Sequence, residues 1–151
     1  MTQYDFEGRT AVITGANTGL DASGAGVTLA NNLHLGGTLN VPGSADLTLG
    51  GVVDGVGGLN KSGSATLTLN GANNYLGGTT LGAGRLVVGN DNALGQGALT
   101  VAGASTLSSG TGTTLANNVT LNAGLTVDGG NDLTLNGVLN GTAGLTKNGS
   151  G

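Results

Sequence analysis

Residues 58–95 read GLNKSGSATLTLNGANNYLGGTTLGAGRLVVGNDNALG. The stretch is a string of short apolar–polar–apolar triplets broken by glycine and asparagine. Leu67-Thr68-Leu69 is one triplet and Leu86-Val87-Val88 is another, with Gly71-Ala72-Asn73-Asn74-Tyr75 and Gly77-Gly78-Thr79-Thr80 between them. Alternation with period two sends side chains to opposite faces of a strand. Runs this short, separated by turn residues, describe a coil that changes direction every few residues.

Outside this stretch the composition points the same way. Glycine is 33 of 151 residues, against about 7% in average usage. The glycines have no three-residue period and Pro42 is the single proline, which excludes a collagen helix. Regularly spaced Leu and Val with a net charge of −4 argue against a disordered chain. Aromatic residues are limited to Tyr4, Phe6 and Tyr75, so bulky rings cannot fill a globular centre. A narrow core of stacked aliphatic side chains needs none. Glu, Lys and Arg are scarce, and little or no helix is expected. Without cysteine there is no disulfide, zinc–thiolate site or Cys nucleophile.

Residues 58–95 also resemble the autotransporter-associated (passenger-associated transport) repeat of bacterial type V autotransporter passenger domains. The matching residues are Gly58, Leu59, Lys61 and Gly63; Thr66, Leu67, Thr68 and Leu69; Gly71, Ala72, Asn73 and Tyr75; Gly77, Gly78, Thr79 and Thr80; then Gly84, Leu86, Val88, Gly89 and Ala93 to Gly95. A second start of the same kind, Gly144-Leu145-Thr146-Lys147, lies near the end of the sequence. The resemblance implies an all-β fold, a single-stranded right-handed parallel β-helix, and a location on the bacterial surface or outside the cell. It implies no catalytic site, so these residues are read as structural.

The 86-residue internal repeat gives the resemblance its length. Residues 26–65 align without gaps to 112–151, with 22 of 40 positions identical. Thr28-Leu29-Ala30-Asn31-Asn32 matches Thr114-Leu115-Ala116-Asn117-Asn118, and Asp46-Leu47-Thr48-Leu49 matches Asp132-Leu133-Thr134-Leu135. A gapless repeat of this length constrains the spacing of the turns. An offset of this size predicts four coils of about 21 or 22 residues, and about six or seven coils in all. Residues 26–151 are therefore expected to form the β-helix, with 1–25 as a cap or first coil. Inward pairs are expected at Leu33/Leu35, Leu39/Val41, Leu47/Leu49, Leu67/Leu69, Leu86/Val88, Leu99/Val101, Val119/Leu121, Leu125/Val127 and Leu133/Leu135. Val87 is the one apolar residue expected on the outer side of such a triplet.

Other constellations carry less. Gly8 to Leu20 opens like a short-chain dehydrogenase, with Thr14-Gly15 and Gly19 standing where glycines would admit a cofactor's phosphates. Asp21 replaces the last glycine, no helical period follows, and there is no Tyr-x-x-x-Lys pair. No cofactor is expected there. His34, the single histidine, sits between Leu33 and Leu35 and is expected to face solvent. A glycosidase or lyase would need paired carboxylates in a groove with basic and aromatic residues, which are too few here. Gly129-Gly130-Asn131-Asp132 faintly resembles a calcium-binding nonapeptide, but once only and with too few oxygen ligands. The paired asparagines, Asn31-Asn32, Asn73-Asn74 and Asn117-Asn118, are expected at turns, where stacked side chains can form a ladder.

The functional expectation is a structural stalk or scaffold segment of an autotransporter-type passenger, and not an enzyme. The alternative is an adhesin-type binding module that recognises carbohydrate or other cells. A remote alternative is an engineered or generated solenoid with no native function. With four basic residues, Arg9, Lys61, Arg85 and Lys147, nucleic acid is not an expected partner. No signal peptide, membrane helix or membrane barrel is legible, so the chain reads as part of a passenger. Open sheet edges predict end-to-end self-association.

Overall fold

The computed structural model describes residues 2–4, 11–13, 18–22 and 26–151. Every regular element among them is a short parallel strand, and the chain winds into a β-solenoid of about six turns. Three faces recur in chain order. The first face begins with Val27–Leu29, the second with Leu33–Leu35 and the third with Leu39–Val41, after which Leu47–Leu49 returns to the first. The first face is an eight-stranded sheet running from Thr2–Tyr4 to Leu145–Lys147. The third is a seven-stranded sheet from Thr18–Gly19 to Leu139–Gly141. Triplets such as Leu33–Leu35, Leu39–Val41 and Leu47–Leu49 bury their outer two residues and turn the middle one outward, as period two requires.

The core is a stack of those inward residues. Leu33, Leu35, Leu39, Leu47, Leu49, Leu59, Leu67, Leu69, Leu81, Leu86, Val88, Leu99, Val101 and Leu107 are all buried. No single coil could bury its own leucines, so stability rests on contact between neighbouring coils. Val87 is partly exposed on the outer side, as expected.

The coil length differs from the expected 21 or 22 residues. On the third face Leu39 pairs with Leu59, Leu59 with Thr79, Thr79 with Leu99, Leu99 with Val119 and Val119 with Leu139, a constant step of 20. The 86-residue offset is therefore four coils with six residues over, which is one face. Val27–Leu29 lies on the first face, whereas its counterpart Thr113–Leu115 lies on the second. Leu59–Lys61 is on the third face and its counterpart Leu145–Lys147 on the first. The two copies are the same coil set turned by one face.

The turn is made in one strand. Before it, the longest corner joins the third face to the first, from Val41 to Leu47. After it, the longest corner joins the first face to the second, from Val127 to Leu133. Ser105–Ser109 lies between these regimes and is the longest strand among the described residues. Its residues Thr106–Ser109 pair with Arg85–Val88, and its residues Ser105–Leu107 pair with Leu125–Val127. The inward triplet thus slides by two residues. Only an even slide keeps the same side chains inward, and Ser105, Leu107 and Ser109 are all buried.

The second face is interrupted. Ala11–Ile13, Leu33–Leu35 and Val53–Gly55 form one ladder, and Thr113–Leu115 with Leu133–Leu135 another. Between them lie two coils without a strand on this face, at Asn73-Asn74-Tyr75 and Asn92-Ala93-Leu94-Gly95. Backbone bonds still cross the gap, from Asn74 N to Val53 O at 3.0 Å and from Gln96 N to Tyr75 O at 2.9 Å. Of the dehydrogenase-like segment, Ala11–Ile13 and Thr18–Gly19 are strands in these parallel ladders. The rest of its glycine-bearing turn lies outside the described residues, as do Asp5 and Glu7.

Candidate functional site

The motif residues singled out in the sequence are spread over all three faces: strands of the first and third, and the interrupted second face between them. Leu59, Leu67, Leu69, Leu86 and Val88 point into the core. Thr66, Thr68 and Thr80 take outward, half-buried places on the strands. Thr79 points inward, where a leucine stands on neighbouring coils at Leu59 and Leu99, and it is 2% exposed. A buried hydroxyl needs a partner. It is Tyr75, whose Oη lies 2.5 Å from Thr79 Oγ1.

Tyr75 is completely buried. Its ring fills the second face where the ladder stops, with Ala93 and Leu94 buried beside the same gap. Burial pushes its phenol up to about 12, with the Thr79 hydrogen bond acting in the opposite sense. Gly95, which closes the motif, has φ +63, and a Cβ there would lie 2.5 Å from Tyr75 O and 3.0 Å from Cγ of the ring. Only glycine fits both the backbone angle and the ring. Asn73 seals the other side. Its Oδ1 accepts from Val53 N at 2.8 Å, and its Nδ2 donates to Ala93 O at 2.7 Å. One side chain thereby ties three successive coils where strand pairing is absent.

Lys61 is the second motif residue whose role composition hides. It follows Leu59 on the inward side of its strand and is only 1% exposed. Its Nζ donates to the carbonyls of Gly63 and, at 3.3 Å, of Ala83 in the next coil. Desolvation lowers its pKa, and the charge of Asp46 partly offsets this. Gly84 must leave room for the ammonium, because a Cβ there would lie 2.8 Å from Nζ. Its counterpart Lys147 stays exposed, donating to Asn148 O at 2.9 Å and Gly149 O at 3.0 Å.

The remaining candidates fall outside this cluster. His34 faces outward, as expected, with Nδ1 2.5 Å from Asp54 Oδ1 on the next coil. Asn131 of the glycine-rich turn donates to Ser109 O and Gly110 O at 3.2 and 3.0 Å, which places an amide where a calcium ligand would offer oxygen. Among the described residues, no group of three or more His, Cys, Asp and Glu is placed to hold a metal ion. The expected asparagine ladder takes a different form. Asn32 Oδ1 accepts from Val52 N and Asn118 Oδ1 from Val138 N, both at 2.9 Å, and Asn117 donates to Gly95 O and Gly97 O. These side chains bond backbone at the corners, where strand pairing leaves N–H and C=O groups unmatched. A side-chain pair of this kind does form on the third face, from Asn60 to Asn40 at 2.8 Å.

Two surface features stand near the motif. A shallow depression of about 230 Å³ lies at the corner between the second and third faces, lined by Leu76, the Gly77-Gly78 pair, Thr80, Gly97 and Thr100. That is below the roughly 300–1,000 Å³ of ordinary ligand pockets, and its lining holds no charged or aromatic side chain. The other feature, missed in the sequence, is a strap along the first face. Arg85 reaches across the sliding strand to Ser108 Oγ at 3.0 Å and Asp128 Oδ2 at 2.6 Å. Ser108 faces outward yet is 2% exposed. Arg85 and Asp128 remain partly solvated, so Asp128→Asn is expected to cost only about 0.5–1 kcal/mol. The loss should shrink in 1 M salt, measured by urea unfolding at both ionic strengths.

Together these features define a class: a parallel β-solenoid whose distinctive polar residues are turned inward to hold coils together. Residues 59–88 match the family described as the passenger-associated-transport-repeat, and so carry the repeat of autotransporter passengers. No curated protein and no solved structure matches the chain. No helix among the described residues is long and apolar enough to cross a membrane, which leaves β-barrels unaddressed.

Proposed function

We propose that this chain is a rigid, non-catalytic stalk segment of an autotransporter-type passenger, displayed on or secreted from a bacterial surface. The observation that supports it most is the fate of the motif's polar groups. Asn73 and Lys61 bond other coils of the same chain, and Tyr75 and Thr79 bond each other inside the core. A stalk needs such residues, because it must transmit load along stacked coils whose only mutual hold is the interface between neighbours. Coil-by-coil folding on the outside would favour export, since each added coil templates the next.

The test is display. The chain is placed between an N-terminal epitope and an outer-membrane translocator, and antibody and protease access to the epitope on intact cells is measured. Access equal to that of a known passenger stalk is expected. Retention inside, with the chain-free control displayed, would overturn the proposal. The adhesin reading draws on the outward polar column Asn40, Asn60, Thr80, Thr100 and Thr120 beside the depression. A glycan array with Thr80→Lys and Thr100→Lys variants separates the two readings: variant-sensitive binding favours the adhesin, and its absence favours the stalk.

A further inference from the structure

The outward side of the third face carries no charge among the described residues. Its strands run from Leu39–Val41 to Leu139–Gly141. Their middle residues, Asn40, Asn60, Thr80, Thr100, Thr120 and Asn140, stand in register on six successive coils. Asn60 donates to Asn40 at 2.8 Å, which aligns both amides within this column. The corner leading into the face, at 36–38, 56–58, 76–78 and onward, holds only small, amide and aliphatic residues. On it Val56 and Leu76, one coil apart, are 68% and 58% exposed. Lys61 belongs to a strand of this face but points into the core.

The charges stand elsewhere. Arg85 and Lys147 are on strands of the first face, and His34 and Asp54 on strands of the second. Asp91, Asp128 and Asp132 lie at the corner between those two faces. Asp21 and Asp46 lie at the corner that leaves the third face, where Asp46 Oδ1 accepts from Thr66 N at 2.8 Å. The chain carries a net charge of −4, so two copies approach with least repulsion through the third face.

We infer that the third face pairs two copies of this chain side by side. The face offers no counter-ion to a charged partner, whose ions would lose water without compensation. Its hydrogen-bonding side chains repeat at the coil spacing, about 4.8 Å. A surface of the same spacing stays in phase with them over six coils, and a second copy has that spacing by construction. Parallel, in-register sheets with small uncharged side chains interdigitate in this way. The size fits as well. Six strands at that spacing, each with about six residues of corner and strand, present about 600 Å². Two copies would bury about 1,200 Å², the lower end for specific interfaces. Val56 and Leu76 add apolar area at the rim. The pairing is therefore weak and reversible in solution, and it gains where many copies share one surface. It goes beyond the stalk reading and does not depend on it.

The test is sedimentation equilibrium of the full chain, with no glycan present, beside two double variants. Thr80→Lys with Thr100→Lys sets like charges in the middle of the third face. Thr48→Lys with Thr68→Lys sets the same charges at outward, half-buried places on the first. Circular dichroism establishes that each variant keeps its fold. A dimer is expected at about 0.1–1 mM. The third-face variant should weaken it roughly tenfold or more, and the first-face variant should leave it no weaker. Because the chain has no cysteine, single cysteines report the geometry without the added charge. Thr80→Cys and Thr100→Cys chains, mixed under mild oxidation, should form disulfide-linked dimers, and Thr48→Cys chains should not. A chain that stays monomeric up to about 1 mM overturns the inference. So does a dimer that responds alike to both double variants, as end-to-end stacking would, or a failure of the third-face cysteines to link.

Discussion

Tyr75→Ala is expected to lower the unfolding free energy by about 3–5 kcal/mol, as for other large aromatic truncations. The ring is fully buried on the face where Asn73-Asn74-Tyr75 and Asn92–Gly95 replace strands. Ladder hydrogen bonds are fewest there, so the cavity has little around it to hold the coils in register. The deletion also strands the hydroxyl of Thr79, which is 2% exposed. Against a total of about 5–15 kcal/mol for a domain, the loss should split the stack in the middle. Urea unfolding followed by circular dichroism would then show two transitions in place of one. Tyr75→Phe keeps the ring and should cost about 1–2 kcal/mol. A Tyr75→Ala protein within 1 kcal/mol of wild type would contradict the assignment.

The same burial sets an alkaline limit. The folded phenol titrates at about 12, above its ordinary value of 10.0. Between those values the unfolded chain gives up a proton that the folded chain retains. Tyr75 therefore contributes stability that is fully present below pH 10 and is lost as the pH rises through 12. The displacement corresponds to about 2–3 kcal/mol. Tyr75→Phe should flatten that part of the pH–stability profile.

Lys61→Glu is the second large effect, with an expected loss of about 3–5 kcal/mol. A carboxylate in that place would face the carbonyls of Gly63 and Ala83 with no donor to offer, beside Asp46. Lys61→Met separates charge from shape. It removes the cost of an ammonium withdrawn from water and leaves two carbonyls unmatched, so a much smaller change is expected. The wild-type lysine also has a pH signature opposite to that of Tyr75. Its folded pKa is lowered, so from there up to 10.5 the unfolded chain holds a proton that the folded chain lacks, and stability rises with pH. Lys61→Met should remove that rise. Lys147→Glu, at the exposed counterpart, should leave stability nearly unchanged, and an equal loss at both positions would contradict the distinction drawn between them.

Much of this architecture was legible because it depends on local alternation. Leu33/Leu35, Leu67/Leu69 and Leu125/Val127 announce an inward pair around an outward residue, and each is found so. His34 and Val87 face outward for the same reason. The roles of Lys61 and Thr79 were less legible. Both occupy inward places in their triplets, yet charge and polarity argue for solvent. What reverses this is the supply of carbonyls at a corner, one of them from the next coil, and of a tyrosine hydroxyl that the same coil folds back onto Thr79. The strap from Arg85 to Asp128 joins residues 43 apart in sequence, and no periodicity announces it.

The sequence by itself determined that the chain is a stack of short coils with aliphatic pairs inside, since period two and regular turn residues admit little else. It also contained the 86-residue repeat. What that repeat means was decided only by the tertiary structure. Stacked strands must keep a 20-residue step along the third face, and 86 is not a multiple of it. The triplets are chemically alike on every face, so nothing local fixes which face a triplet takes. Accumulated corner lengths fix it, and the two-residue slide within Ser105–Ser109 accommodates the change. That is why two copies of one sequence stand on different faces of the same rod.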